Sequence, residues 1–242
     1  MSEQDSNMFP EWTDTWNPLG GDCIHNCVYC YRNELMVRFP KIREKYSGNP
    51  RIIQHELKNL GKGKRIFVCN MTDLFSEQVK SEDIIQIIEH TWHYPDNEYL
   101  YLTKNPERMA DFVHRITAKS IIGMTFETPF YLRCISNAMG PLARYKCFTA
   151  IQYPRKVISI EPIMPFGSDF ADFIIQANPL WVWIGANTCN SFQLPEPTAD
   201  GVLKLIASLR DAGIKVILKK NLKRIVGDLV DWDAEGKQSK GV

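Results

Sequence analysis

The strongest constraint on this chain is the recurrence of short, almost continuously apolar runs, each followed by a stretch with helical periodicity. The runs are RIFVCN (65–70), EYLYLT (98–103), SIIGMTF (120–126), KVISIE (156–161), LWVWIG (180–185) and IKVILK (214–219). They are rich in β-branched and aromatic residues and recur at intervals of roughly 20 to 35 residues. Strands that are apolar at nearly every position are covered on both faces, which is the condition of a parallel sheet flanked by helices. A weaker, earlier strand falls within WTDTWN. Between the runs, SEDIIQIIEHTW opens with a serine cap and two acids, PERMADFVHRI has proline at its first helical position, and TADGVLKLIASLRDAG closes on glycine. These read as outer-layer helices. The segment 128–150 mixes turn and helix signals and gives no element boundaries.

Six or seven such units predict an α/β fold, a single-domain parallel (βα) barrel, complete or partial; an open doubly wound sheet is the alternative that pattern alone leaves standing. The expected division is an N-terminal extension over 1–11, the barrel over 12–222 and a C-terminal helix or tail over 223–242. A chain of 242 residues with 44% hydrophobic and 24% charged residues can bury one core of this size. Its apolar runs fall far short of the roughly 20 residues that cross a bilayer, and MSEQDSNMFPEW lacks a basic region followed by an apolar stretch. The expectation is therefore a soluble, cytoplasmic protein with no membrane partner. A net charge of +1 gives no global attraction to nucleic acid.

In either architecture, ligands bind at the carboxyl ends of the strands. Reading those ends gives Asn70 and Asp73, Thr103 and Lys104, Thr125 and Glu127, Glu161, Asn187, and Lys219 with Lys220. Any one of them could simply mark a strand meeting solvent. Together they form a candidate site, because several follow directly on apolar runs.

The stretch CIHNCVYC places Cys23, Cys27 and Cys30 in one loop after the first strand, with the spacing C-x3-C-x2-C. Seven cysteines is an odd number, and three crowded together point to metal or catalysis rather than to disulfides. A four-iron four-sulfur (4Fe-4S) cluster normally takes four thiolates, so three leave one iron open to a small chelating molecule. Tyr29 supplies an aromatic edge beside whatever binds there. Two other readings stand beside this one. A zinc site could join the three cysteines to His25 or to a distant residue, although zinc motifs more often come as separated C-x2-C pairs; with the basic segment near the C-terminus it would make a zinc-binding nucleic-acid module. Alternatively Cys69 could close the cluster for electron transfer alone. Cys134, Cys147 and Cys189 have no tight spacing and read as ordinary buried residues.

The cysteine spacing, with an aromatic before the last cysteine and repeated βα units after it, resembles the radical S-adenosylmethionine superfamily. More narrowly, TWNPLGGDCIHNCVYCY, RIFVCNMTDLF, YLYLTKNPERM, IIGMTFET, KVISIEPIMPF, WVWIGANTCN and IKVILKKNL are similar, in order, to the signature segments of a phage-associated, functionally uncharacterised three-cysteine branch of it. The similarity runs from about residue 12 to residue 222. It implies a partial barrel, a 4Fe-4S cluster on Cys23, Cys27 and Cys30, and S-adenosylmethionine chelating the open iron. The implied chemistry is reductive cleavage to a 5'-deoxyadenosyl radical that takes hydrogen from a substrate, fed by an external electron donor such as a flavodoxin or ferredoxin.

Where the superfamily usually has a Gly-Gly-Glu-like segment for the methionine ammonium, this chain has CNMTD, so Asn70, Thr72 and Asp73 become the candidates for that contact. Thr125 and Glu127 fall where superfamily members often hold the ribose hydroxyls, with Glu161 and Asn187 next around the rim. Lys104 and Lys219 end apolar strands inside matching segments and, with Glu161, are the candidates for contacts to the reacting groups. Lys215, Lys219, Lys220, Lys223 and Arg224 cluster near the last strand, where parallel barrels often bind phosphate, which would suit a nucleotide or nucleic-acid substrate; a solvated basic turn is the preferred reading of Lys215, Lys223 and Arg224. Trp181 and Trp183 alternate along one strand and read as packing residues. His25, His55, His90, His93 and His114 give no convincing acid and base pair, and the chain has neither a phosphate-binding glycine loop nor a nucleophile elbow.

Overall fold

A computed structural model describes residues 9, 11–130, 134–189, 192–232 and 235. Its strands, in chain order, are β1 (Asp14–Trp16), β2 (Leu19–Gly20), β3 (Arg51–Ile52), β4 (Arg65–Val68), β5 (Glu98–Thr103), β6 (Ile121–Thr125), β7 (Lys156–Ile160), β8 (Trp181–Ile184) and β9 (Lys215–Leu218). β2 and β3 make a small antiparallel ribbon, and the other seven form one parallel sheet in the order β1-β4-β5-β6-β7-β8-β9. Every crossover therefore steps to the next strand in the same direction. A doubly wound sheet would reverse that order at a switch point. The architecture is the partial parallel (βα) barrel, with β1 and β9 as its two edges.

The sheet explains why its strands read as continuous apolar runs. On β5, Tyr99 and Tyr101 point into the large core that contains helix residues such as Ile84, Met109 and Phe112, while Leu100 belongs to a second core. The same alternation holds on the other strands: Phe67, Ile121, Val157, Trp181, Trp183 and Ile217 fill the barrel interior, and their neighbours Ile66, Ile122, Ile158, Val182 and Val216 face the helices. From β4 to β9 the strands are buried on both faces at nearly every position, whereas the edge strand β1 exposes Thr15. Trp181 and Trp183 are interior packing residues, as the sequence suggests. Phe9 and Glu11, on the near side of the expected boundary at residue 12, are themselves buried, with Phe9 in the interior core.

The helices are α1 (Tyr31–Arg38), α2 (Pro40–Lys45), α3 (Ser81–Trp92), α4 (Pro106–Phe112), α5 (Pro141–Ala150), α6 (Phe170–Ala177), α7 (Ala199–Asp211) and α8 (Lys223–Val226). Pro40 separates α1 from α2, since proline cannot donate to the preceding turn. Asn105 caps α4 in front of Pro106 by accepting from the Arg108 backbone N–H, and Thr198 caps α7 in the same way through Gly201. The expected serine cap of α3 is not one: Ser81 is already the first helical residue, and Lys80 precedes it without a side-chain cap. Most expected strands overrun the observed ones by one or two residues at their ends. The clearest case is RIFVCN, which stops at Val68 because Cys69 has φ 54° and turns the chain. The segment whose elements the sequence left open contains α5, preceded by a loop whose described parts are 128–130 and 134–140. The expected C-terminal tail after α8 falls largely outside the described residues. Among the described residues, no helix is long and apolar enough to cross a membrane.

Candidate metal centre and the barrel mouth

The cysteine loop leaves the carboxyl side of β1 and the β2–β3 ribbon and runs into α1, with Cys30 directly before the first helical residue. Neighbouring segments hold it on three sides. Val28 N–H donates to Ile135 O (2.9 Å), and Asn137 N–H donates to His25 O (2.7 Å). Ser136 Oγ lies 3.1 Å from Cys27 Sγ and also donates to His25 O. On the barrel side, His25 Nε2 is 2.9 Å from Asp73 Oδ2. Asp73 in turn accepts from Thr103 Oγ1 and from the backbone N–H groups of Lys104 and Phe75. Burial alone would raise the Asp73 pKa; His25, Lys104 N–H and Thr103 together outweigh it and hold the carboxyl below its usual range. Asn70 forms a second tie, accepting from Asn17 Nδ2 (2.7 Å) and taking Tyr31 Oη on its carbonyl (2.7 Å). Thr72 is buried between these two residues in the chain.

The three thiols sit in a protein-lined, low-dielectric setting. Burial, with the charge of Asp73, pushes Cys23 up to about 11, and burial raises Cys30 as well. Free thiolates of Cys23 and Cys30 are disfavoured here, and iron or another metal would supply the positive charge that makes them ligands. Among the described residues, no three His, Cys, Asp or Glu side chains converge on one position as the ligands of a single ion would. A four-iron cluster needs no such convergence, because each thiolate takes a different iron. Cys69 packs in the helix-facing core, where it accepts a hydrogen bond from the Leu19 backbone and burial raises it to about 12. One further feature fits an anionic cluster: Arg32, two residues beyond Cys30, is buried with Nε and Nη1 lacking hydrogen-bond partners.

Four of the sequence-predicted strand-end residues, Lys104, Glu127, Glu161 and Lys219, form two ionic groups at the barrel mouth. In the first, Glu127 is buried; its Oε1 accepts from Lys104 Nζ (2.5 Å) and from Tyr29 Oη, and its Oε2 lies 2.9 Å from Arg144 Nη2. Desolvation would raise the Glu127 pKa, but the Arg144 and Lys104 charges and the hydrogen bonds from Lys104 and Tyr29 outweigh it, so the carboxyl is held well below its usual range. Burial and the same carboxylate push the Tyr29 phenol well up. Arg144 also donates to Thr125 O (2.7 Å), which fixes its plane. In the second group, Lys219 Nζ meets Glu161 Oε2 at 2.5 Å and lies 4.1 Å above the centroid of Phe9. Gly185 makes room for that pair: a Cβ there would come within 3.0 Å of both Glu161 Oε1 and Lys219 Cδ. Asn187 stands apart. Both ends of its amide are committed to its own loop, through Cys189 N–H and the carbonyls of Cys189 and Phe192.

Two openings adjoin the loop. A cleft of about 340 Å³ is lined by Ile24, His25, Glu77, Asn105, Asn137, Ala138, Met139 and Gly140, which is in the size range of small-molecule pockets. A much smaller pocket, of about 20 Å³, lies among Tyr29, Glu127, Phe130, Arg144 and Met164. Sequence reasoning missed Arg144, Ser136, Arg32 and the His25–Asp73 contact. Arg144 and Ser136 lie in the stretch 128–150, where no periodicity marks the inward residues; the identity of His25 between two cysteines was visible, but its partner lies 48 positions away.

The fold and the site together define a partial parallel barrel carrying a three-thiol loop at the carboxyl ends of its strands. The chain belongs to the family described as "Protein of unknown function (DUF5131)", which matches residues 8–215. No curated protein matches it. Among solved structures it is similar to a cysteine-to-serine mutant of spore photoproduct lyase, with TM-score 0.53 and 10% identity over 88% of this chain and 74% of that one. A tyrosine-to-phenylalanine mutant of the same enzyme matches with TM-score 0.51 and 9% identity over 86% and 72%. A double mutant with bound AdoMet and dinucleoside spore photoproduct matches with TM-score 0.45 and 12% identity over 90% of this chain and 62% of that one. At these identities the likeness is one of fold.

Proposed function

We propose that the protein is a radical S-adenosylmethionine enzyme. The observation that carries this reading is the loop of Cys23, Cys27 and Cys30, which runs into α1 beside a partial parallel barrel and is tied by His25 to Asp73 in the turn after β4. The similarity of fold to spore photoproduct lyase supports it. When bound, the 4Fe-4S cluster would supply one electron to S-adenosylmethionine, giving methionine and a 5'-deoxyadenosyl radical that takes hydrogen from the substrate. The chain's own residues hold and enclose these groups. Cys23, Cys27 and Cys30 are the cluster ligands. Asn70, Thr72 and Asp73 shape the turn beside the loop where the methionine part lies, with Asn70 and Asp73 fixing the loop through Tyr31 and His25. Tyr29, Thr125 and Glu127 line the ribose side, and Asn187 shapes the rim loop.

Glu161 and Lys219 face the barrel interior and Lys104 its mouth, where they bind and orient the substrate. The apolar floor of Phe9, Trp181 and Trp183 excludes water from the region where a radical must survive. A nucleobase or nucleic acid is the substrate class that the two cations Lys104 and Arg144 around the single carboxylate of Glu127 favour; near Lys219, Lys223 and Arg224 are paired with Asp228 and Glu196. A flavodoxin or ferredoxin supplies the electron. The test is anaerobic reconstitution followed by dithionite and S-adenosylmethionine. The parent protein is expected to hold close to four irons and four sulfides and to release 5'-deoxyadenosine, at a rate well above that of Cys30→Ala treated identically. Stoichiometric zinc without sulfide, or equal 5'-deoxyadenosine from both proteins, would overturn the reading.

A further inference from the structure

Arg32 is an anomaly that none of the roles above absorbs. It sits in the first turn of α1, is 6% exposed, and two of its guanidinium nitrogens, Nε and Nη1, are hidden from solvent without a hydrogen-bond partner. A buried guanidinium that lacks a counterion is strongly destabilising, so such groups are retained where an anion meets them. Glu56, which acts with Arg32 on Tyr46, is paired with Lys45 and Lys58, and Asp73 at the cysteine loop is paired with His25. Arg32 sits in the first turn of α1, two residues after Cys30, and acts on the buried phenol of Tyr46. The backbone agrees with the side chain: Cys30 is the cap residue of α1, and its side chain makes no capping bond to the helix. The first-turn N–H groups of a helix carry partial positive charge and favour anions.

We propose that Arg32 and the first turn of α1 form an anion-binding site that holds negative charge beside Cys30. The anion is sulfur of the metal cluster or the carboxylate of S-adenosylmethionine; both present a negative acceptor within reach of a guanidinium next to the last cysteine. The inference rests on the radical S-adenosylmethionine reading, because that reading supplies the anion. It goes further by giving a cationic residue outside the cysteine motif a defined part in the site. A fixed positive charge beside the cluster favours its reduced, more negative state, and a bidentate fork would orient a carboxylate.

The experiment compares the reconstituted parent with Arg32→Met, which keeps the apolar stem, and with Arg32→Lys, which keeps the charge. Iron and sulfide are counted first. Reduction midpoints are then followed by paramagnetic resonance without S-adenosylmethionine, and S-adenosylmethionine affinity is measured by calorimetry. If cluster sulfur is the anion, the Arg32→Met midpoint moves to a more negative value and Arg32→Lys restores part of the shift. If the carboxylate is the anion, the midpoint stays and the affinity of Arg32→Met falls at least about tenfold. Should Arg32→Met fail to load a cluster, loading of Arg32→Lys supports the site, and equal failure of both variants overturns it. A fully loaded Arg32→Met with unmoved midpoint and affinity also overturns it and leaves the enzyme reading intact. A parent that loads no cluster removes both.

Discussion

Nε2 of His25 lies 2.9 Å from Oδ2 of Asp73, and this contact fastens the middle of the cysteine loop to the turn after β4. The carboxylate is buried and receives donors from three further groups, so its position is determined independently of the loop. Replacing it with an amide of the same shape removes the charge and turns one acceptor into a donor. Asp73→Asn is expected to lower stability to urea by about 1.5–3 kcal/mol, the range for hydrogen bonds to a charged group, and to speed loss of iron from the loaded protein. An Asp73→Asn protein as stable and as iron-retentive as the parent would show that the loop is held elsewhere.

The assignment of the ligands makes a separate prediction. Cys23→Ala, Cys27→Ala and Cys30→Ala should each prevent cluster assembly, whereas Cys134→Ala, at a position that is exposed and not buried as its sequence context suggests, should assemble it fully. Cys69→Ala should assemble it too, with reduced stability, because Cys69 fills a place in the helix-facing core. Loss of the cluster in Cys69→Ala, in protein shown to be folded by its far-ultraviolet spectrum, would revive the closed four-thiolate reading.

Glu127 offers a pH test. Its folded carboxyl lies well below the usual value of 4.5, held there against burial by Arg144 and Lys104. A depressed carboxyl contributes stability that is complete above the unfolded value and is lost as the pH falls toward the folded one. Glu127→Gln leaves two buried or half-buried cations without their counterion, so at pH 7 it should cost about 3–5 kcal/mol. The gap between parent and variant should narrow as the pH is lowered from about 5 toward 3. Thermal melts across that range check it, and a gap that stays constant or widens on acidification would remove the ionic account of this residue.

Much of the fold was legible in the sequence because a strand covered on both faces has no polar alternation to obscure it. EYLYLT is the plainest example, since its six residues are the whole of β5. Polar strand ends were legible for the same reason: Lys104, Glu127, Glu161 and Lys219 follow directly on apolar runs, and the structure brings them together as Lys104 with Glu127 and Glu161 with Lys219. What remained hidden depends on contacts across long separations. Nothing local tells Arg144 from a surface arginine on α5, because only the fold brings it to Glu127. Asn187 matched the pattern of a rim residue, yet its amide closes its own loop, and side-chain orientation of that kind is not written in strand position. Pairing between Asn70 and Tyr31 is similarly non-local, and it follows from the turn at Cys69 that ends β4 two residues early.

Gly123 tests the barrel interior without touching the site. A Cβ there would lie 2.8 Å from Leu102 Cδ1 and 2.9 Å from Val157 Cγ2, side chains of the two adjacent strands. Both belong to or pack on the interior core, so neither can move far without displacing its neighbours. Gly123→Ala should therefore destabilise by about 1–3 kcal/mol through overpacking, with cluster content unchanged. Neutral or increased stability in urea would mean the interior has slack that the geometry does not suggest.

The last prediction concerns the floor of the cavity. The Phe9 ring stacks on Trp183 with centroids 4.0 Å apart and planes at 26°, and the Lys219 ammonium sits above its other side at 4.1 Å. Phe9 thus separates the apolar lower half of the barrel from the Glu161–Lys219 pair. Phe9→Ala removes a buried aromatic from a core that strands hold rigidly, so collapse around the gap is limited and the expected loss is about 3–5 kcal/mol. Phe9→Leu restores most of the apolar volume but not the aromatic face. It should recover most of that stability while lacking the attraction between ring and ammonium, which is worth about 0.5–2 kcal/mol depending on desolvation. Urea denaturation of the three proteins gives the order parent, Phe9→Leu, Phe9→Ala. A loss below about 1 kcal/mol in Phe9→Ala, the scale of an ordinary substitution, would show that the segment before β1 only rests on the barrel and does not form its floor.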